Sequence, residues 1–162
     1  MRILCISAQK PDSTGSGVYL AETVASLAAA GHQVAVIAGI DKDDSPQLAP
    51  GVEFLPVRFR TPELPFPVCG MSDVMPYRAT RYRDMTPEMV AQFRAAFEPR
   101  LREAVCTLKP DVIFCHHLYL LTSWVRELFP DLAVAALSHS SDLRQMRQHA
   151  LEQDRIVAGI QG

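Results

Sequence analysis

Residues 2–39 read RILCISAQKPDSTGSGVYLAETVASLAAAGHQVAVIAG, an order typical of a strand, a glycine loop, a helix and a second strand. The run Arg2–Ser7 is almost continuously apolar, as a strand covered by helices on both faces requires. Apolar residues recur at helical spacing over residues 18–28, with Ser16 as the expected N-cap and Gly31 after the helix end. We therefore predict two parallel strands joined by a right-handed helical crossover.

The glycine loop Gly15-Ser16-Gly17 lies where this helix is expected to begin. The first N–H groups of a helix have no acceptor within the helix, and the helix dipole favours negative charge at that end. We therefore expect an anionic group to bind at Gly15, Ser16 and Gly17.

The composition indicates one globular domain. The chain has 162 residues, of which 48% are hydrophobic, and this is enough apolar side chain to bury a core. The formal net charge of −2 argues against a dedicated nucleic-acid binder, because such proteins bind largely by neutralising phosphates. No signal-peptide pattern and no apolar run of membrane-spanning length is present, so we expect a cytoplasmic protein.

The four cysteines show no Cys-x-x-Cys spacing, and two of them lie inside apolar, strand-like runs. This pattern is typical of small buried side chains in a reducing compartment, not of a disulfide framework or a metal site. We expect all four to be buried: Cys5, Cys69, Cys106 and Cys115.

The remaining sequence continues to alternate between strand and helix patterns. Residues 61–86 interrupt it with four prolines and scattered apolar residues, and we expect a long ordered excursion there. The alternation predicts a doubly wound, mostly parallel, Rossmann-like sheet in a three-layer α/β fold. The further strands are predicted at residues 52–59, 112–115 and 132–137, and the helices at residues 87–108 and 119–129.

Histidines follow the carboxyl ends of two predicted strands. His116 and His117 follow one strand and His139 the next. Ligands bind at this edge of open parallel sheets, so we expect the three histidines to share a cleft with the Gly15 loop. Adjacent side chains of a strand point to opposite faces, so one of the first pair should be structural and His116 should face the cleft. We expect no metal site, because adjacent histidines in a strand rarely chelate one ion.

Three segments together carry a family resemblance. Residues 2–39, the run KPDVIFCHHL at 109–118 and the run VAALSHSSDL at 134–143 resemble the N-terminal domain of the GT-B glycosyltransferases of family 4. The resemblance extends over the whole chain except residues 61–86. It implies transfer of a sugar from a nucleotide sugar to an acceptor with retention of configuration, without an obligatory metal or other cofactor.

The resemblance also implies roles for individual residues. In similar enzymes the loop that matches Gly15-Ser16-Gly17 lies at the interdomain cleft and approaches the donor diphosphate or the acceptor. Thr14 stands beside Gly15 where the family's loop often has a second glycine.

The histidines can be placed in the same way. The family has an active-site histidine five positions after the aspartate of a Pro-Asp pair, and this position is His116. The family's histidine after the fifth strand matches His139. We assign His139 and His117 to the binding of donor phosphate or acceptor.

Members of this family bind the donor nucleotide in a second, C-terminal Rossmann-like domain that carries a Glu-x7-Glu signature. The 162 residues contain no such domain and resemble an excised N-terminal, acceptor-side domain. We expect this piece alone to have no transferase activity. The expected partners are a nucleotide-sugar donor, an acceptor and the C-terminal domain.

Arg78, Arg81 and Arg83 cluster in the excursion. Arginine binds phosphates and carboxylates with paired hydrogen bonds, so these residues are candidates for an acceptor site. The alternative is a solvated charged surface. Contact of the excursion with an anionic membrane surface is a third interpretation, although no continuous amphipathic helix is evident there.

Two functions without catalysis compete with the transferase hypothesis. One is a stand-alone module in which the glycine loop holds a pyrophosphate and Asp41 the ribose, but the G-x-G-x-x-G pattern requires glycine where this sequence has Leu20. The other is a paralogue with the transferase fold that binds a sugar or phosphate without turnover. The motif spacing favours the transferase hypothesis over the nucleotide module.

Overall fold

The computed structural model describes residues 1–161. The strands in this part of the chain are β1 (Arg2–Ser7), β2 (Gln33–Asp41), β3 (Val52–Phe59), β4 (Cys69–Gly70), β5 (Thr80–Arg81), β6 (Val112–His116) and β7 (Val134–Leu137). Five of them form a parallel sheet in the order β3-β2-β1-β6-β7, and β4 pairs with β5 in a small separate sheet. The predicted fold class, a mostly parallel Rossmann-like sheet, is confirmed.

The helices flank this sheet on both faces. Leu20 and Val24 of the first helix pack on one face, and Phe97 and Trp124 of the second and third pack on the other. The last helix packs on the third. No helix within residues 1–161 is both long and apolar enough to cross a membrane. The helices are α1 (Gly15–Ala29), α2 (Pro87–Leu108), α3 (Leu120–Leu128), α4 (Ser140–Gln148) and α5 (Gln153–Gln161).

The bounds predicted for α2 agree with the structure, because the sequence marks both ends chemically. Thr86 is the N-cap, and its hydroxyl accepts a hydrogen bond of 3.2 Å from the N–H of Met89. Pro87 occupies the first turn, where its missing N–H costs nothing. Lys109 ends the helix in the left-handed conformation, with φ of 49°.

The predicted N-cap of α1 is wrong by two residues. Thr14, not Ser16, caps the helix, since its Oγ1 accepts a hydrogen bond of 3.0 Å from the N–H of Gly17. The helix therefore begins at Gly15, and Ser16 belongs to its first turn. Its end is as predicted: Gly31 follows it in the left-handed conformation, with φ of 81°.

Residues 61–86 form the ordered excursion that the sequence predicts. Leu64, Phe66 and Val68 are buried in the main core at the start of the excursion, and Tyr82 and Met85 are buried near its end. Burying a side chain of this size contributes about 1.5–3 kcal/mol, so both ends of the excursion are firmly held on the domain.

Three of the four cysteines are buried as predicted, but Cys106 is exposed. It lies on α2 away from the buried stripe that includes Leu101, Ala104 and Leu108. Burial raises the pKa of the Cys5 and Cys115 thiols to about 12, so both are neutral at physiological pH.

Candidate functional site

A cavity of about 740 Å³ opens at the carboxyl end of the sheet, beyond β1, β6 and β7. The neighbouring strands β1 and β6 are followed by helices on opposite faces, and such a point in an open sheet leaves a crevice for a ligand. Four segments line the cavity: Gln9 with residues 12–16 and Val18, residues 71–76 except Asp73, His117, and residues 139–141.

The first turns of two helices converge on this cavity. Gly15 and Ser16 begin α1 and line it from one side, while Ser140 and Ser141 begin α4 and line it from another. Helix N-termini attract anions through free N–H groups and through the helix dipole. The described residues that line the cavity include one carboxylate, Asp12, and no lysine or arginine, so the two helix N-termini are the part of the lining that favours an anion.

The two glycines of the loop have different surroundings. Gly15 is exposed and lines the cavity, and a Cβ added there would meet no atom within 4 Å. Gly17 is buried and does not line the cavity; a Cβ there would overlap the carbonyl oxygen of Lys10 and lie 3.1 Å from the N–H nitrogen of Asp12. Gly17 therefore allows the loop to cross close over α1, and the structure leaves Gly15 and Ser16 for contact with a ligand.

His117 departs from the geometry that the sequence predicts. Its φ of 78° is left-handed, because β6 ends at His116 and the chain turns immediately afterwards. Strand alternation therefore does not separate the two rings: both lie near His139, with centroid distances of 6.1 Å for His116 and 4.5 Å for His117. The expectation that His116 faces the cleft is also not met, since His117 lines the cavity and His116 does not.

His116 is 4% exposed and lies between aromatic neighbours. Its ring centroid is 4.9 Å from that of Phe114 and 5.9 Å from that of Tyr19. Within residues 1–161, neither of its ring nitrogens has a hydrogen-bond partner. Burial, together with the neighbouring His139 and His117, lowers its pKa to about 4, so the ring is neutral at physiological pH.

His139 lies at the N-cap of α4, and its backbone N–H donates a hydrogen bond of 3.1 Å to Oδ2 of Asp142. The side chain lines the cavity, while its Nε2 is buried and unpartnered within the described residues. Burial is also the main cause that lowers the pKa of His139, with a smaller contribution from His117. The three histidines thus lie close together, but only His117 and His139 share the cavity with the Gly15 loop, whereas the sequence predicted that all three would.

A family model described as "Glycosyl transferase 4-like domain" matches residues 14–157. This chain belongs to that family. The match confirms the resemblance seen in the glycine loop and in the two segments that carry the histidines. A search of curated proteins finds no match.

The fold of this glycosyl transferase 4-like domain is similar to that of a solved structure, sucrose-phosphate synthase from Thermosynechococcus elongatus. The TM-score is 0.57 at 19% sequence identity. The similarity covers 94% of this chain and 36% of the synthase chain, so the domain spans little more than a third of that protein. At this level of identity the likeness concerns the fold alone.

The three arginines proposed for acceptor binding lie outside the cavity lining of this glycosyl transferase 4-like domain. Arg81 donates to Asp84 at 2.6 Å, and Arg83 lies 3.2 Å from Asp73. Arg78 is exposed. The part of the excursion that does line the cavity is Met71, Ser72, Val74, Met75 and Pro76.

Asp41, the ribose-binding candidate of the alternative module, is already paired with an arginine. Its two carboxylate oxygens accept hydrogen bonds of 2.6 Å each from Arg60, and this contact lowers the pKa of the Asp41 carboxyl. Asp41 does not line the cavity. Within residues 1–161, no group of three or more His, Cys, Asp or Glu side chains is arranged to hold a metal ion.

Among the residues of the glycosyl transferase 4-like domain's site that were not predicted from the sequence, Gln9 and Asp142 contact the histidines. Gln9 lines the cavity just beyond β1, and its position after a strand was the available signal. Asp142 is fully buried and contacts both His117 and His139. Its position three residues after a helix N-cap matches the acidic member of a capping box, a signal that could have placed it at the start of α4.

Proposed function

We propose that this chain is the N-terminal, acceptor-side half of a retaining glycosyltransferase that transfers a sugar from a nucleotide sugar to an acceptor. Membership of the glycosyl transferase 4-like family supports the reaction class. The length of the matched synthase, of which this chain covers 36%, supports a larger enzyme with a second domain. The donor nucleotide is proposed to bind in that domain.

The observation that carries this proposal is the convergence of α1 and α4 on one cavity. Sugar transfer from a nucleotide donor leaves a diphosphate on which negative charge develops, and preorganised N–H donors stabilise such charge. The first turns at Gly15 and Ser140 supply these donors from two directions. The described lining residues include the carboxylate of Asp12 and no lysine or arginine, so the N–H groups of the two helix N-termini are the donors proposed for the anion.

His116 is the proposed catalytic residue, and His139 and His117 are proposed to contact the donor phosphate or the acceptor. His116 and His139 hold three buried ring nitrogens that have no partner within residues 1–161. Buried polar atoms are nearly always hydrogen-bonded, so a substrate group could complete Nε2 of His139, which lines the cavity. His116 does not line the cavity, so its proposed catalytic role requires neighbouring side chains to move before it touches a substrate. The lowered pKa of His116 keeps it neutral, so it offers one donor and one acceptor.

The acceptor is proposed to contact the wall formed by Met71, Ser72, Val74, Met75 and Pro76, which lines the same cavity as the two helix N-termini. Val74 is 85% exposed and available to a ligand. Arg78, with its exposed side chain, stays a candidate for the edge of an acceptor site, whereas Arg81 and Arg83 would first have to leave their aspartate partners.

The test starts from the gene, read beyond codon 162 for a second α/β domain with a Glu-x7-Glu segment. The full-length protein is then incubated with uridine, guanosine and adenosine diphosphate sugars and a panel of acceptors. We expect release of nucleoside diphosphate and a product that keeps the anomeric configuration of the donor, read by proton NMR. An inverted product would overturn the retaining mechanism. Phosphate binding without turnover by the full-length protein would support the binding module instead.

A further inference from the structure

The carboxylate of Asp142 lies at the centre of a buried hydrogen-bond network. Its Oδ2 accepts from the backbone N–H groups of Leu118 at 2.8 Å and His139 at 3.1 Å. Its Oδ1 lies 2.7 Å from Nδ1 of His117 and 3.3 Å from the hydroxyl of Ser141. A fully buried carboxylate requires donors of this kind, because otherwise its desolvation is uncompensated.

This network determines which nitrogen of His117 carries the hydrogen. A carboxylate only accepts hydrogen bonds, so Nδ1 of His117 must donate. A neutral imidazole then has only an acceptor at Nε2. The atom opposite Nε2, at 2.6 Å, is the side-chain nitrogen of Gln9, and it must be the donor of that hydrogen bond.

The orientation of the Gln9 amide follows directly. With its N–H turned to His117, its Oε1 is the free end of the amide, and it accepts no hydrogen bond within residues 1–161. Gln9 is 2% exposed, yet it lines the cavity. The oxygen is not among the described buried side-chain atoms that lack a partner, so it keeps some exposure, and at the wall of a cavity it is an acceptor that a ligand hydroxyl can reach.

We propose that Oε1 of Gln9 accepts a hydrogen bond from a hydroxyl group of the substrate, and that Asp142 and His117 are positioning residues that hold the amide in this orientation. The ligand class is a polyhydroxy compound that also carries a phosphate, since this acceptor lies beside two helix N-termini. The inference rests on the proposed transferase function, because it assigns the hydroxyl to one of the sugar-bearing substrates.

The surroundings of His117 fix the network in place. Its backbone N–H donates to the carbonyl oxygen of Leu137 at 3.1 Å, and its carbonyl oxygen accepts from the hydroxyl of Thr122 at 2.6 Å. These contacts hold the left-handed backbone that turns the ring towards Asp142 and Gln9. His117 thereby joins the loop after β1 to the end of β7 and to the helices α3 and α4.

The orientation is tested by nitrogen NMR of the 162-residue chain at neutral pH. We expect the His117 nitrogens of the wild type to show the Nδ1–H tautomer. In Asp142→Asn the new side-chain oxygen should take the place of Oδ2, because the backbone N–H groups of Leu118 and His139 require an acceptor there. The new side-chain nitrogen should then take the place of Oδ1, next to His117. His117 should then change to the Nε2–H tautomer and the Gln9 amide should turn over. An Nε2–H tautomer or an imidazolium in the wild type overturns the proposal.

Ligand binding gives the second readout, with inorganic phosphate and glucose 1-phosphate as probes. We expect the wild type to bind the sugar phosphate several-fold more tightly than phosphate, and Gln9→Met to lose this difference while phosphate affinity is unchanged. Gln33→Met is the matched control, since Gln33 is exposed at the opposite edge of the sheet. Thermal midpoints show whether each variant is folded.

The outcomes separate the two proposals. If phosphate binds but the sugar phosphate has no advantage in the wild type, or keeps it in Gln9→Met, the Gln9 inference is wrong and the anion-binding site stands. If neither probe binds, the phosphate-binding part of the proposed function fails, and the hydroxyl assignment fails with it. The tautomer measurement then still decides the orientation of the amide.

Discussion

Gly17 lies so close to the carbonyl oxygen of Lys10 that a methyl group at position 17 would overlap that oxygen. The obstacle is backbone, which cannot move aside as a flexible side chain would. The loop after β1 thus reaches the cavity by crossing directly over the first turn of α1. This relationship separates the structural glycine of the loop from the one that faces the cavity.

Gly17→Ala should destabilise the domain, and Gly15→Ala should not. Overlap with the backbone forces a shift of the loop that costs about 1–3 kcal/mol. At Gly15 there is open space and the backbone needs no glycine, so we expect the free energy of unfolding to change by no more than about 0.5 kcal/mol. Urea unfolding of the two variants and the wild type measures both values. Equal losses in the two variants would contradict the assignment.

Gly15→Val should weaken anion binding while the domain stays folded. The branched side chain would stand in the cavity at the N-terminus of α1 and keep a phosphate away from the free N–H groups. We expect the dissociation constant for inorganic pyrophosphate, from isothermal titration calorimetry, to rise about tenfold or more. The dissociation constant of Gly15→Ala should lie between those of Gly15→Val and the wild type. Unchanged affinity with reduced stability would make Gly15 a structural residue.

His116→Phe should preserve the fold but abolish most of the activity. Neither ring nitrogen of His116 has a protein partner within residues 1–161, so an apolar ring among Phe114 and Tyr19 removes a buried, unsatisfied group. We expect stability at neutral pH to be equal or higher, and kcat of the full-length transferase to fall by about 100-fold or more. His32→Phe, at the amino edge of the sheet, is the control. Normal kcat in His116→Phe would remove this residue from the site.

Acid should destabilise the wild type partly through His116. The pKa of folded His116, about 4, lies below the ordinary histidine value of 6.5, so the unfolded chain binds a proton first as pH falls. Above pH 6.5 the ring is neutral in both states, so its titration does not change the free energy of unfolding. That free energy falls progressively between about pH 6.5 and 4, by up to about 3 kcal/mol. His116→Phe should show a smaller loss over this window in urea unfolding. Parallel pH profiles would mean that the histidine is not held neutral.

Apolar patterning predicted the sheet well, because burial on both faces leaves a strong signal in a parallel strand. The bounds of β1 and β3 agree with those expected, and Thr86 and Pro87 mark the start of α2. The two-residue strands β4 and β5 were not predicted, since such short segments carry no periodicity. Thr14 and Ser16 are both good N-caps, and only the local backbone decides between them.

The candidate site could be predicted only in part. Its position after the strands follows from topology, and the structure has Gly15, His117 and His139 at one cavity there, while His116 does not line it. The contact between Gln9 and His117 joins residues 108 positions apart, and that between His117 and Asp142 spans 25 positions. The left-handed φ of His117 is a tertiary effect, because histidine adopts it where surrounding contacts require it. Local sequence does not encode these three features.

The excursion is anchored in the core near both ends, by Leu64, Phe66 and Val68 on one side and by Tyr82 and Met85 on the other. Between these anchors, Ser72, Val74 and Pro76 line the cavity without belonging to the core. These three positions can therefore accumulate substitutions while the sheet and the helix N-termini stay as they are. Under the proposed function, substrate range and phosphate binding depend on different parts of the chain and can be changed separately.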